Sequence, residues 1–220
     1  MYNKAVSKRY TRERHPFRDV YTGVDKTRKR AVSLREIGKI LSLNDEKVQF
    51  AKDLFEFSFN TCGMGFADMA WLEKSCVYRD CLSYRRRKTG VIINVPLNSG
   101  ARTIIKRYEK LTASTPYVFP ILGNATGANA YGRYLSALTI YNKTLKAVSE
   151  KAGCNTQVSS YVSRHSWATA ARNANAPISV ISSALGHCSE KTTRVYLDNL
   201  DSGKLARLNY KIMQNMHLRP

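Results

Sequence analysis

The chain reads Arg164-His165-Ser166-Trp167-Ala168-Thr169, then Leu185-Gly186-His187 and, nine positions after that histidine, Tyr196. We expect the first stretch to begin a helix and the second to end one, because glycine after an apolar run commonly ends a helix. An arginine, a histidine and a tyrosine supply a cation, a proton-transfer group and a nucleophile, which together suit the breaking of a phosphodiester. Singly they would be a salt-bridge arginine, a helix-end histidine and a half-buried tyrosine, but their order and spacing favour the chemical interpretation.

Charge and composition restrict the partners of the chain. It has 220 residues, 43% of them hydrophobic, which suffices for one compact domain with a single core. The formal net charge of +20 predicts a polyanionic partner, and nucleic acid is the first candidate. No apolar run reaches the roughly 18 residues that a membrane helix needs, and the N-terminal residues lack a signal-peptide pattern. We therefore expect a cytoplasmic protein that does not bind membranes.

The spacing of apolar and capping residues predicts an α+β domain that is mostly helical. The helices are expected to run from Ser33 to Ile40, from Asn44 or Asp45 to Phe59, from Gly63 to Leu72, from Asn98 or Ser99 to Leu111, from Asn129 to Ala152, from Ser159 to Ala174, onward from Pro177, from Ser189 through Tyr196, and from Leu205 to Met216. β-Branched and aromatic residues between Val77 and Val95, around a turn at Thr89-Gly90, predict a small antiparallel hairpin after a preceding strand. The basic stretch from Met1 to Arg30 predicts a short helix followed by an extended linker.

These motifs resemble those of the tyrosine recombinase family, the phage-type integrases. The closest resemblance is to integrases carried by conjugative transposons and related mobile elements of gut anaerobes. In that family an arginine in an RH(S/T)xAT helix, a histidine in an LGH motif and a tyrosine nine residues later form most of the active site. They fall here on Arg164, His187 and Tyr196. The family also places a lysine at a β-hairpin turn, and Lys88 lies in that context within the run Arg85-Arg86-Arg87-Lys88-Thr89-Gly90.

The resemblance covers nearly the whole chain and implies its domain organisation. Residues 1–30 would be the end of a core-binding domain and a basic linker. Residues 31–220 would be a catalytic domain of the DNA breaking-rejoining fold, with a C-terminal tail helix at about 201–216. The implied function is that of a site-specific recombinase or integrase.

The resemblance assigns each catalytic residue a role with a physical reason. Arg164 would hold two non-bridging phosphate oxygens with its planar fork, and Tyr196 would form a 3′-phosphotyrosine. Lys88 would protonate the departing 5′ hydroxyl, while His187 would support the phosphate or the proton movement of the tyrosine. Because the phosphotyrosine keeps the energy of the phosphodiester, no ATP, metal or other cofactor is implied.

Other residues are expected to support the site or to bind DNA. Tyr161 stands where the family has the histidine of an HxxR motif, and its hydroxyl can still donate a hydrogen bond to a phosphate. His165 is expected to support the site, and Asp68 matches an acidic residue that orients a helix or an arginine. The run of Arg85, Arg86 and Arg87 is predicted to contact DNA, and the alternative for Lys88 is that it only adds to this basic surface. Trp167 is predicted to be a core residue.

The chain departs from the family at the first arginine of the active site. The family motif resembles TGxRxxE or, in close relatives, TRGMxxxDM, whereas this chain reads Thr61-Cys62-Gly63-Met64-Gly65-Phe66-Ala67-Asp68-Met69. Cys62 or Gly65 therefore stands where an arginine is expected, and neither can bind phosphate as a cation. Three interpretations stay open: a neighbouring base such as Arg85 or Arg87 substitutes, the enzyme is impaired, or the position was altered.

Partners follow from the same resemblance. We expect double-stranded DNA and further copies of this chain, as a monomer when free and a tetramer on DNA. The tail could dock on a neighbouring protomer or pack on its own domain. The alternative from another class is a DNA-binding relative without catalysis, and a type IB topoisomerase is favoured less by the LGH spacing. The five scattered cysteines predict reduced thiols and no metal site.

Overall fold

A computed structural model describes residues 2–15, 18 and 31–197, and for residues 195–197 it describes the backbone alone. Most of the predicted basic linker and the predicted tail helix at 201–216 lie outside these residues. The helices are α1 (Tyr2–Ser7), α2 (Leu34–Leu41), α3 (Gln49–Asn60), α4 (Phe66–Ala70), α5 (Ser99–Glu109), α6 (Gly127–Lys151), α7 (Val162–Asn173), α8 (Ile178–Leu185) and α9 (Glu190–Leu197). Single 3₁₀ turns lie at Glu46–Val48 and Lys74–Cys76.

The predicted α+β, mostly helical class is confirmed, and the helix starts show why. Ser33 accepts a hydrogen bond from the Glu36 backbone N–H, and the Glu36 carboxylate accepts one from the Ser33 N–H, so α2 begins with a complete capping box. Asn98 caps α5 by accepting from the Ala101 N–H at 2.8 Å. Asp45 caps as predicted, but its first turn is a 3₁₀ turn that precedes α3.

Two predicted helices are shorter than expected. The helix predicted from Gly63 to Leu72 is confined to Phe66–Ala70, because Cys62 and Gly63 both have positive φ and turn the chain sharply. The helix predicted from Ser159 begins at Val162, after a turn in which the Val162 N–H donates to the Ser159 carbonyl.

The predicted hairpin and its preceding strand form an antiparallel sheet. Its strands are β1 (Val77–Tyr78), β2 (Cys81–Arg85) and β3 (Ile92–Pro96), in the order β1-β2-β3. Leu82 pairs with Val95 and Tyr84 with Ile93, and these alternate residues are buried. Gly90, at φ +72°, closes the β2–β3 turn, so Lys88 lies at the tip of the hairpin.

The core holds α7 against the rest of the domain. Helix α3 packs on α5, α6 and α7, and Phe55 and Phe57 of α3 are fully buried. The Ser163 hydroxyl donates to the Phe55 carbonyl at 3.2 Å, which links α7 directly to α3. A smaller cluster of Ala168, Ile181 and Leu185 joins α7 to α8, and Trp167 packs against it as predicted.

Gly63 allows the turn after α3 to touch α7. A Cβ atom at this position would lie 2.8 Å from the Arg164 Cα and 2.9 Å from its Cγ. Gly63 also has φ +78°, a conformation that side-chain-bearing residues rarely adopt. The turn therefore needs glycine for two independent reasons, and both act next to Arg164.

We expect Gly63→Ala to lower the free energy of unfolding by about 2–4 kcal/mol, because strain and overpacking add. The matched control is Gly38→Ala on the exposed face of α2, where an added Cβ would meet nothing within 4 Å. That change should raise the free energy of unfolding by about 0.5–1 kcal/mol through helix propensity. Urea denaturation of both variants measures the difference, and equal effects would contradict this account.

Candidate active site

The site is built around the end of α8. Gly186 has φ +61° and ends the helix in a left-handed turn, in which its N–H donates to the Ser183 carbonyl at 2.9 Å. The His187 N–H donates to the Ser182 carbonyl at 3.0 Å, which completes a Schellman motif. This motif leaves the carbonyls of Leu185 and Gly186 to accept from outside the helix.

Two arginines from different elements donate hydrogen bonds to these carbonyls. Arg164 of α7 donates from Nη2 to the Leu185 carbonyl and from Nη1 to the Gly63 carbonyl at 2.9 Å. Arg86, just after β2, donates from Nη1 to Leu185 at 2.7 Å and to Gly186 at 2.8 Å. The negative end of the helix dipole compensates part of the cost of burying two cations.

This position of Arg86 differs from the expected place on an exposed DNA-binding surface. Its side chain continues the inward-facing alternation of Leu82 and Tyr84, and only 6% of the residue is exposed. Arg164 is 2% exposed. The hairpin is therefore fixed to α8 by a buried guanidinium, and its exposed cations are Arg85, Arg87 and Lys88.

His187 lies against Arg164 in a defined tautomer. Its Nε2 is 3.3 Å from Arg164 Nη2, and its Nδ1 is 2.8 Å from the hydroxyl of Thr193 in α9. Because an arginine can only donate, this contact favours Nε2 as the acceptor and a ring proton on Nδ1, which then donates to Thr193. The fully buried Thr193 thus orients the ring. No local sequence pattern marks Thr193 as a site residue, because its contact with His187 depends on how α9 packs against the turn after α8.

The surroundings of His187 keep the ring neutral. Burial lowers its pKa to about 4, and the positive charges of Arg164, Arg86 and Lys88 act in the same direction. At neutral pH the ring therefore carries no charge and offers a lone pair at Nε2.

The hairpin turn brings Lys88 to the same place. The Thr89 hydroxyl donates to the Gly186 carbonyl at 3.1 Å, which ties the turn to the end of α8. Lys88 is exposed, and its charge reaches the His187 ring. Arg85 folds back on the turn through the Gly90 carbonyl at 2.7 Å, and the Arg87 guanidinium stacks 4.1 Å from the centre of the Trp71 ring.

Asp68, at the start of α4, is the acidic residue of this region. Its carboxylate accepts from the Arg87 backbone N–H at 2.9 Å and so connects α4 to the hairpin. Burial raises its pKa, while the Arg87 N–H and the charges of Arg86 and Arg164 oppose that shift. Asp68 therefore links α4 to the hairpin through the backbone of Arg87.

Tyr161 and His165 lie at the first turn of α7. Tyr161 is 39% exposed, and its ring packs edge-to-face on the His165 ring with 5.2 Å between ring centres. The hydroxyl and imidazole are thus beside Arg164 in sequence and accessible to a substrate.

Cys62 occupies the place expected for an arginine. It lies directly before Gly63, whose carbonyl accepts from Arg164, and it has φ +59°. Burial raises the pKa of its thiol, so the residue is a neutral group at neutral pH. Position 62 therefore adds no second cation next to Arg164.

Helix α9, which contains Tyr196, follows directly after the turn that holds His187. Ser189 caps the helix by accepting from the Lys191 N–H at 3.2 Å. Position 196 follows Thr193 by three residues and so shares its helical face. Tyr196 thus lies on the same short helix as Thr193, which contacts His187.

Within residues 2–15, 18 and 31–197, no cluster of histidine, cysteine and acidic residues could hold a metal ion. All five cysteines are free thiols. No helix in this part of the chain is long and apolar enough to cross a membrane.

The sequence of residues 36–202 matches the phage integrase family. The chain belongs to this family of tyrosine site-specific recombinases, which are enzymes of DNA recombination, and it has the fold of their catalytic domain. No curated protein matches the sequence.

Solved structures of recombinases share the fold. The XerA recombinase is 18% identical, with a TM-score of 0.60 over 90% of this chain and 68% of that protein. A lambda integrase dimer bound to a core site is 13% identical, with a TM-score of 0.64 over 90% of this chain and 69% of that one. The Tn1549 transposon integrase in complex with transposon right end DNA is 15% identical, with a TM-score of 0.59 over 97% of this chain and 75% of that one.

The lowered pKa of His187 makes stability depend on pH. Unfolding returns the ring to its ordinary pKa near 6.5, so the unfolded chain binds the proton more readily than the folded one. The contribution is therefore complete above about pH 6.5 and is lost as the pH falls toward 4. Urea denaturation at pH 7 and at pH 4.5 should show a smaller loss of stability for His187→Gln than for the parent protein. Equal losses would show that the histidine is not depressed in this way.

Proposed function

We propose that this domain cleaves and rejoins strands of double-stranded DNA through a 3′-phosphotyrosine at Tyr196. The observation that carries the proposal is the convergence of Arg164, His187 and the Lys88 turn on the end of α8, from which α9 leads to Tyr196. Three elements that are distant in sequence thereby bring a cation, a proton acceptor and a proton donor to one point.

The chemical step exchanges one phosphodiester for another. The phenol oxygen of Tyr196 attacks the scissile phosphorus, a P–O bond to the tyrosine forms, and the bond to the 5′ oxygen breaks. The phenol loses its proton, and the 5′ oxygen receives one. A 5′ hydroxyl from a partner strand reverses the step, so rejoining needs no external energy.

Arg164 binds and neutralises the phosphate in this scheme. Its positive charge would neutralise the phosphate, and its hydrogen bonds to Gly63 and Leu185 hold the guanidinium in place before substrate arrives. Preorganised donors of this kind stabilise the charge that grows in the transition state without having to reorient.

His187 accepts the proton of the tyrosine. Its lone pair lies on Nε2, the nitrogen beside Arg164, because Thr193 holds the proton of Nδ1. The three cations that lower its pKa would be offset by a bound phosphate, so the arrival of DNA raises the basicity of the ring. The site therefore becomes a better base when its substrate is present.

The proposed partner is duplex DNA. The net charge of +20 and the exposed Arg85, Arg87 and Lys88 on the hairpin support it. A lambda integrase and the Tn1549 integrase of the same fold are DNA complexes. We further propose that the chain is an integrase of a conjugative or related mobile element of gut anaerobes. It would act in the cytoplasm, as a monomer when free and as a tetramer on DNA.

Covalent trapping on a nicked suicide substrate from the end of the element tests the nucleophile. The parent protein should give a protein–DNA adduct on a denaturing gel, and Tyr196→Phe should give none, because the phenylalanine has no attacking oxygen. DNA binding of Tyr196→Phe, measured in parallel, should be unchanged within about twofold.

Cys62→Arg separates the proposal from its alternative. The alternative, a DNA-binding relative without catalysis, is favoured by the neutral thiol at position 62. An adduct that forms with Cys62→Arg and not with the parent chain would identify an impaired recombinase. Binding without an adduct from either protein would support the non-catalytic relative.

Lys88 is tested by a substrate that needs no acid. Lys88→Ala should slow cleavage of the normal phosphodiester by roughly 10²–10⁴-fold, the usual contribution of a general acid. When sulfur replaces the 5′ bridging oxygen, the leaving thiolate is stable without a proton, so the variant and the parent should react at similar rates. A defect that persists on the sulfur substrate would place Lys88 in DNA binding alone.

A further inference from the structure

The active site lacks one of the two arginines that the resemblance to tyrosine recombinases implies. Cys62 and Gly65 are the two positions where that arginine is expected, and neither a thiol nor a glycine can carry positive charge. A phosphodiester gains negative charge at two non-bridging oxygens in the transition state, and one guanidinium at Arg164 has to serve both. A second cation beside Arg164 would complete the site.

Arg86 lies beside Arg164. Both guanidiniums donate to the same acceptor, the Leu185 carbonyl. Arg86 makes its hydrogen bonds to Leu185 and Gly186 through Nη1 alone. Its Nε and Nη2 have no hydrogen-bond partner among the residues that the structure describes, and neither atom is fully buried. One end of the fork is thus anchored, and the other two nitrogens can still bind a ligand.

Arg86 also lies near the place of the missing arginine. The hydroxyl of Tyr84 is close enough to Asp68, Arg164, Arg86 and Cys62 for each of them to act on its pKa, which burial raises first of all. Arg164 also connects the two places directly, because it donates to the carbonyl of Gly63, the residue after Cys62, and to the Leu185 carbonyl that Arg86 shares.

The other arginines of the hairpin are placed differently. Arg85 faces away from Leu82 and Tyr84 on the alternating strand and is held by the Gly90 carbonyl. Arg87 stacks on Trp71. Arg86 follows the inward alternation, and the strand therefore aims this one of the three at the end of α8.

The charge balance around Arg86 favours an anion. Arg86 forms no ion pair within 4 Å of a carboxylate in the described part of the chain. Arg164, Arg86 and Lys88 all act on His187, and Asp68 is an acidic group that Arg86 and Arg164 reach. A cluster in which cations outnumber the acidic groups is stabilised by a bound anion.

We propose that Arg86 supplies the second guanidinium of the phosphate-binding site, in place of the arginine missing at position 62. Its Nε and Nη2 would donate to a non-bridging oxygen of the scissile phosphate while Nη1 stays on the end of α8. This inference rests on the proposed function, since it assigns a catalytic residue to that reaction. It replaces Arg85 and Arg87, the candidates from sequence, with the arginine between them.

The test compares single-turnover cleavage of the suicide substrate by the full chain and its variants at saturating DNA. Arg86→Gln should lower the cleavage rate by roughly 10²–10³-fold, as for the loss of one transition-state donor, with DNA affinity changed by less than about fivefold. Arg102→Gln is the matched control, because Arg102 also donates to a backbone carbonyl, that of Leu97, at the other end of the sheet. It should leave the rate unchanged.

Second-site rescue separates catalysis from a structural role. Adding Cys62→Arg to Arg86→Gln should raise the cleavage rate at least tenfold, because it restores a guanidinium next to Arg164. A lost contact at the end of α8 would not be repaired in this way. If Arg86→Gln does not fold, Arg86→Lys, which keeps a donor for the helix end, carries the same comparison. If Cys62→Arg raises the cleavage rate of neither Arg86→Gln nor Arg86→Lys, the inference is overturned.

A neutral substrate gives an independent readout. When methylphosphonate replaces the scissile phosphate, less charge needs neutralising, so the defect of Arg86→Gln should shrink at least tenfold. On the normal phosphodiester, an adduct that forms equally well with the parent and with Arg86→Gln would overturn the inference and leave the proposed function intact. A parent chain that forms no adduct at all would instead contradict the proposed function.

Discussion

The carbonyl oxygen of Leu185 is the point on which the site depends. It is free because the Schellman turn at Gly186 uses other carbonyls of α8, and it accepts from both Arg164 and Arg86. One acceptor thereby fixes helix α7, the β-hairpin and the end of α8 relative to one another. The same turn positions His187, which lies two residues after Leu185. Loss of the turn would therefore disturb the cation, the base and the hairpin together.

Burying two guanidiniums here has an electrostatic consequence. A helix end and the carboxylate of Asp68 compensate these cations, and burial together with the charges of Arg164, Arg86 and Lys88 lowers the pKa of His187. Such a site binds an anion by relieving repulsion as well as by direct attraction. In the proposed function, substrate binding would also change basicity, since a phosphate that offsets Arg164, Arg86 and Lys88 would raise the pKa of His187. The repulsion among the cations in the free site and the proposed rise in the basicity of His187 both arise from the positive charge of these three side chains.

The chain shares its fold with recombinases at 13–18% identity, so the architecture persists through extensive sequence change. Within that architecture, Cys62 marks a corner where the expected cation is absent. Gly63 beside it still allows the close approach to Arg164, so the backbone of the corner is intact. The backbone that shapes the proposed phosphate site is thus kept although the expected charge at position 62 is absent. Arg86 is the proposed source of that charge.

The sequence by itself determined the helix starts, the hairpin and the identity of the chemical groups, because caps, alternation and motif spacing are local properties. Ser33, Asn98 and Gly186 illustrate this, and so does the order of Arg164, His187 and Tyr196. Tertiary structure decided which groups meet. Arg85, Arg86 and Arg87 are indistinguishable as letters, yet strand register and the free carbonyls of α8 send one of them inward. The contact of Thr193 with His187 was equally hidden, because it depends on how α9 packs against the turn after α8, which no local pattern encodes.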